Sequence, residues 1–335
     1  MNKWLPVFFI ISSVARSEVT SFPVIPSATD PAIRTFNDPE WVYLNRDIVV
    51  ENSPGLPADR HELLLWLTGT GGSGKSAVAF CNLSADLGYH AVSLMYPDQI
   101  PASACAHDLN PSSFENFRMA IIHGGTAHYG KRGKELVIEQ PESIENRLQK
   151  LLLRLQSIRP RENWGQFLNP DGSIKWELIA VAGQSQGGGH AALIGIKHRV
   201  SRVICTGSPK DFNQALNAPA GYYTETSATP KDRFFAFNHA QDTVACNQGQ
   251  LAENLHSLGL DAYGSPVDVA KLTPPYNHTH ILTTSYPTVV PTAEKTNPGG
   301  GNSDWEKMAH TSVIASKFSE FLKPVWTYLL TEKSG

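Results

Sequence analysis

Apolar residues come along this chain in two rhythms. Short, almost wholly apolar runs alternate with longer segments whose apolar positions recur every three to four residues. The runs ELLLWL (62–67), HAVSLMYP (90–97), WELIAVAG (176–183), VSRVICTG (200–207), RFFAFNH (233–239) and HILTTS (280–285) read as strands. Most lack polar alternation, as strands covered on both faces do. The helical rhythm is clearest in IENRLQKLLLRLQSI, where Ile144, Leu148, Leu151, Leu152, Leu155 and Ile158 share one face. Helices are also expected over 77–87, 187–198 and 248–259, the last ended by Gly259. A final helix is expected over 311–330, kinked or broken at Pro324.

Alternation of strand and helix predicts an α/β fold with a mostly parallel central sheet and helices on both faces. WVYLNRDIVV (41–50), within a proline-rich leading stretch, is a candidate edge strand. The segments 98–141, 209–230 and 259–277 read as insertions, and 297–303 as a loop. No linker separates two halves, so 18–335 is read as a single domain.

Of 335 residues, 41% are apolar, enough for a large core, and the net charge of −3 lacks the basic excess expected of a nucleic-acid partner. The start, MNKWLPVFFIISSVARS, has an early Lys3, an apolar stretch from Trp4 to Val14 and a small-x-small site at Ala15 and Ser17. This reads as a signal peptide over 1–17, too short to span a bilayer. It predicts a secreted or periplasmic protein without a stable membrane anchor. In such a compartment Cys81, Cys105, Cys205 and Cys246 are able to form two bridges.

Two glycine-rich stretches carry candidate chemistry. GTGGSGKS (69–76) fits the phosphate-cradling pattern G-x-x-x-x-G-K-[ST], with Lys75 and Ser76 as phosphate and magnesium contacts and Asp98 as a further magnesium ligand. Export weighs against that reading, because ATP is scarce outside the cytoplasm. The second stretch, Gly183-Gln184-Ser185-Gln186-Gly187, is a G-x-S-x-G between an expected strand and an expected helix. A serine projecting from so sharp a turn needs residues without a Cβ two positions away on either side, where the backbone passes close to its neighbours.

On these residues the chain, from about Glu62 onward, resembles the α/β-hydrolase superfamily in its secreted serine esterase and lipase branch. The resemblance implies an α/β-hydrolase fold, with Ser185 as nucleophile, Asp242 as acid and His310 as base. Asp211 and Asp232 are rivals for the acid; His278 and His280 are rivals for the base. His190 is expected behind the elbow, and His239 beside the acid loop. The glycines after the first strand then serve an oxyanion hole, formed by the N–H of Gln186 with that of Thr70 or Gly71. A carboxylic ester, small or lipid-like, is the implied substrate, with pocket walls from the three insertions and from Tyr222 and Tyr223. No metal or organic cofactor is implied. Family strand order implies disulfides Cys81–Cys105 and Cys205–Cys246. The alternatives are a P-loop nucleotide-binding protein and a non-catalytic binding protein on the same fold.

Overall fold

The computed structural model describes residues 19–45, 59–288 and 303–333. The signal expected over 1–17, the end of the 41–50 run and most of the 297–303 loop lie outside the described residues.

The strands are β1 (Val19–Val24), β2 (Glu40–Asn45), β3 (Leu63–Leu67), β4 (His90–Leu94), β5 (Gly125–Tyr129), β6 (Lys134–Ile138), β7 (Ile179–Gln184), β8 (Arg202–Thr206), β9 (Phe212–Asn213), β10 (Ala218–Pro219), β11 (Phe234–His239), β12 (Val267–Asp268) and β13 (Ile281–Thr284). The helices are α1 (Pro26–Thr29), α2 (Val78–Asp86), α3 (Ser113–His123), α4 (Ile144–Ile158), α5 (Gln186–Lys197), α6 (Gln248–Ser257), α7 (Asp304–Ser312) and α8 (Ser319–Thr331).

Among the described residues, nine strands form one sheet in the order β1-β2-β4-β3-β7-β8-β11-β13-β12. Neighbours from β4 to β12 run parallel, and β1 and β2 are antiparallel additions at one edge. The period-two geometry of a strand splits each apolar run between two cores. Leu63, Leu65, Leu67, Val181 and Val203 face one layer, which α3, α4, α5 and α6 cover. Leu64, Trp66, Ala180, Ala182 and Ile204 face the other, covered by α2 and α8. Continuous apolar runs were required because both faces are dry. Of the α4 face predicted from periodicity, Ile144, Leu148, Leu151, Leu152 and Leu155 are buried while Ile158 at the end is exposed, and Ser143 starts the helix by accepting the Asn146 N–H.

The structure departs from the sequence reading in three places. The chain after 303 forms two helices, and the break falls at Val313–Phe318 rather than at Pro324. Pro324 lies inside α8 on its exposed side, one turn from the start, where it removes only the bond to Glu320. Val313 and Ile314 instead turn into the core, and Trp326 Nε1 donates to the Val313 carbonyl at 3.0 Å. Next, 259–277 supplies β12, the outermost strand of the sheet, while 98–141 carries α3 and the β5–β6 hairpin. Last, the four cysteines are free and buried. Cys81 lies in the α2 layer and Cys105 in the opposite one, so the sheet stands between them. Cys205 turns under α5, with Sγ 3.4 Å from the Gly188 carbonyl, whereas Cys246 belongs to the loop after β11.

Candidate active site

The site lies at the carboxyl ends of the parallel strands, where such sheets place their ligand crevices. β7 delivers Gly183 in register between Leu67 of β3 and Cys205 of β8. Ser185 follows at φ 56°, ψ −116°, a strained backbone for a residue with a Cβ. A Cβ on Gly183 would sit 2.4 Å from the Gly187 carbonyl carbon, and one on Gly187 would sit 2.1 Å from the Leu67 carbonyl oxygen. Both glycines are therefore demanded by close approach. The turn opens directly into α5, so the Gln186 N–H stands at the helix start without an intrahelical acceptor.

Ser185, His310, Thr70 and Gln186 line one cleft of about 530 Å³, together with Arg118 and Lys210 among others. Asp242 follows β11 in a loop anchored by its own N–H to the His239 carbonyl at 3.0 Å. It is fully buried. Its Oδ2 accepts the His310 Nδ1–H at 2.8 Å and lies 3.0 Å from Lys210 Nζ; its Oδ1 accepts the Val244 N–H at 3.0 Å. Burial alone would raise the Asp242 carboxyl, but the His310 hydrogen bond and the Lys210 charge outweigh it, and the group is held below its ordinary value. His310 sits in the last turn of α7, and its other ring nitrogen, Nε2, is buried without a hydrogen-bond partner.

The rival residues Asp211, His278 and His280 are committed to other partners, although Asp211 lines the same cleft. Asp211 is clamped by Arg118, Nε to Oδ2 at 2.5 Å and Nη2 to Oδ1 at 2.6 Å. His280 is stacked between Phe235 and Tyr263, and His278 pairs with Glu332. Asp232 lies in a turn before β11. His190 is buried on α5 edge-on to Tyr96, and burial holds it well below its usual value, so it is neutral. His239 bonds the Pro287 carbonyl at 3.0 Å beside the acid loop. Tyr222 and Tyr223 do not line the cleft: Tyr222 donates to Asp211 Oδ2 at 2.6 Å, and Tyr223 accepts the Asp211 N–H. The cleft wall comes instead from Pro101–Ser103 and from Val244 and Ala245.

The loop after β3 is tied down. The Gly71 N–H donates to the Asp98 carbonyl at 3.3 Å, the Gly72 N–H to the Gly69 carbonyl at 2.9 Å, and the Ser73 N–H to Ser76 Oγ at 2.8 Å. Asp98 Oδ2 also accepts from Thr68 Oγ1 at 3.1 Å, and its burial pushes the carboxyl up to about 6. Lys75 Nζ rests 4.2 Å above the Trp41 ring, away from the cleft. A phosphate cradle needs those N–H groups and that lysine converging on one empty point; here they are committed within the loop. Thr70 differs: among the described residues its N–H has no partner, and Thr70 Oγ1 donates to Gln186 Oε1 at 2.7 Å, binding the loop to the helix start.

Two site residues escaped sequence reading. Lys210 and Arg118 reach their partners across 32 and 93 positions of chain, respectively. Arg118 also donates from Nη1 to the Gln186 carbonyl at 2.8 Å, and a Cβ on Gly189 would fall 2.1 Å from its Nη2. That contact explains the third glycine of the GGG run, the one available signal for it.

The strand order, the elbow after β7 and helices on both faces make this an α/β fold of the α/β-hydrolase type. No protein-family model and no curated protein matches the chain. Among solved structures it is similar to that of TT1662 from Thermus thermophilus, at 14% identity and a TM-score of 0.37, covering 80% of this chain and 88% of that one.

Proposed function

We propose that the protein is a serine hydrolase of carboxylic esters, exported by its leading segment and working through Ser185, His310 and Asp242. The observation that carries this is the commitment of His310 Nδ1 to a buried carboxylate, which leaves Nε2 as the ring's proton acceptor in the cleft that Ser185 lines. Ser185 Oγ attacks the acyl carbon while Nε2 takes its proton. The tetrahedral oxygen is held by the N–H groups of Gln186 and Thr70; Gly71 is spent on Asp98. Collapse expels the alcohol, protonated by His310, and water, deprotonated by the same nitrogen, releases the acid from Ser185. Pro101, Ala102, Val244 and Ala245 supply short apolar walls, which suit a small acyl group better than a long chain.

Hydrolysis of p-nitrophenyl esters of increasing acyl length tests this reading. Short esters should turn over, and Ser185→Ala should remove turnover by several orders of magnitude, on the order of 10⁶ in kcat for another serine hydrolase. Lys75→Ala should leave turnover within about twofold. Binding of Mg·ATP that depends on Lys75 would favour the nucleotide reading, and binding of esters without turnover a non-catalytic role.

A further inference from the structure

At the far end of α5, about 18 Å from Ser185 by helix length, three other side chains meet. His123 closes α3, Glu145 lies in the first turn of α4, and His198 follows the last residue of α5. Glu145 Oε2 contacts His123 Nδ1, and Glu145 Oε1 lies 3.0 Å from His198 Nε2. One ligand-type atom from each residue falls within 4.8 Å of the others.

The Glu145–His198 contact is the unusual one. Both atoms are buried, yet at 3.0 Å they form no aligned hydrogen bond. A carboxylate oxygen and an imidazole nitrogen so close but so poorly aligned satisfy each other weakly. The same separation is close to the edge of a zinc coordination tetrahedron, about 3.3 Å for bonds of about 2.0–2.1 Å. Trp176 stacks on the His198 ring at 4.8 Å and 22°, holding its orientation. Two imidazoles, one carboxylate and no thiolate form the donor set of zinc and its neighbours rather than of calcium or magnesium, which prefer oxygen.

We propose that His123, Glu145 and His198 bind a divalent transition ion of the zinc class, with water completing its shell. The ion would fasten the ends of α3, α4 and α5 to one another. It takes no part in the proposed ester chemistry.

The test uses tag-free, full-length protein stripped with chelator and titrated with Zn²⁺ at neutral pH. Calorimetry should show one ion per chain at micromolar or tighter Kd, and Tm should climb with free zinc, because only the folded chain brings the three ligands together. His198→Gln and Glu145→Gln should each weaken binding at least 10-fold, and His123→Gln/His198→Gln together at least 100-fold, with near-ultraviolet dichroism unchanged. Absence of wild-type binding below 100 µM, or equal binding by the folded double variant, would overturn the proposal.

Discussion

Lys210 governs how much of the Asp242 charge reaches His310. Its ammonium approaches the same oxygen that accepts the His310 Nδ1–H. Removing that positive charge leaves the imidazolium formed during turnover less opposed. Lys210→Met should therefore move the acid limb of kcat/KM upward, and Lys210→Arg should restore it. A variant with a lower plateau and an unmoved limb would reduce Lys210 to packing. The depressed Asp242 value has its own consequence: the stability it contributes is present above its unfolded pKa, about 3.9, and is lost as pH falls through the lower folded value. Arg118 is a separate case, since truncating it strands Asp211 in the interior. Arg118→Met should cost roughly 3–5 kcal/mol, read from urea midpoints; a loss below about 1 kcal/mol would contradict a buried ion pair.

The loop between β3 and α2 is held by a carboxylate whose ionisation is opposed by burial. Asp98 titrates near 6 in the folded chain and near 3.9 when unfolded, so the folded state keeps a proton that the unfolded state releases between those values. Its contribution to stability thus falls as pH rises from about 4 to about 6. Asp98→Asn removes that dependence, and its stability relative to wild type should be more favourable at pH 7 than at pH 4. An equal difference at both pH values would refute the assignment. The same elements show what the sequence made legible. Leu63–Leu67 and Ile179–Gln184 read as buried strands because both their faces pack, and Ser185 was found because its turn excludes a Cβ on either side. Asp242 and His310 were placed only by order along a resembled fold. Lys210 and Arg118 left no local mark, because their partners come from distant segments. The 313–318 break escaped because a carbonyl captured by Trp326 has no periodicity to read.

Across the whole molecule, the thiols are inert by burial. Burial raises Cys205 to about 12 and Cys246 to about 11, and Cys81 and Cys105 also lie well above the usual thiol range. Four thiols per chain should react with an aromatic disulfide reagent in denaturant and almost none in buffer, and reductant should leave Tm unchanged. Fewer than four in denaturant would show a bridge. No helix among the described residues is long and apolar enough to cross a membrane. The proposed export rests on the leading segment, and if it holds, mass spectrometry of secreted protein should find a chain beginning at Glu18.

Ser185 is proposed as a nucleophile activated by His310 and Asp242. The most direct test is intact-mass analysis after brief exposure to a fluorophosphonate, followed by peptide mapping. One adduct per chain is expected, on Ser185, with loss of fluoride. Its rate should fall as His310 is protonated and fall by orders of magnitude in His310→Ala, with Asp242→Asn intermediate. An unlabelled folded protein, or an adduct on another residue with Ser185 untouched, would rule out Ser185 as the nucleophile.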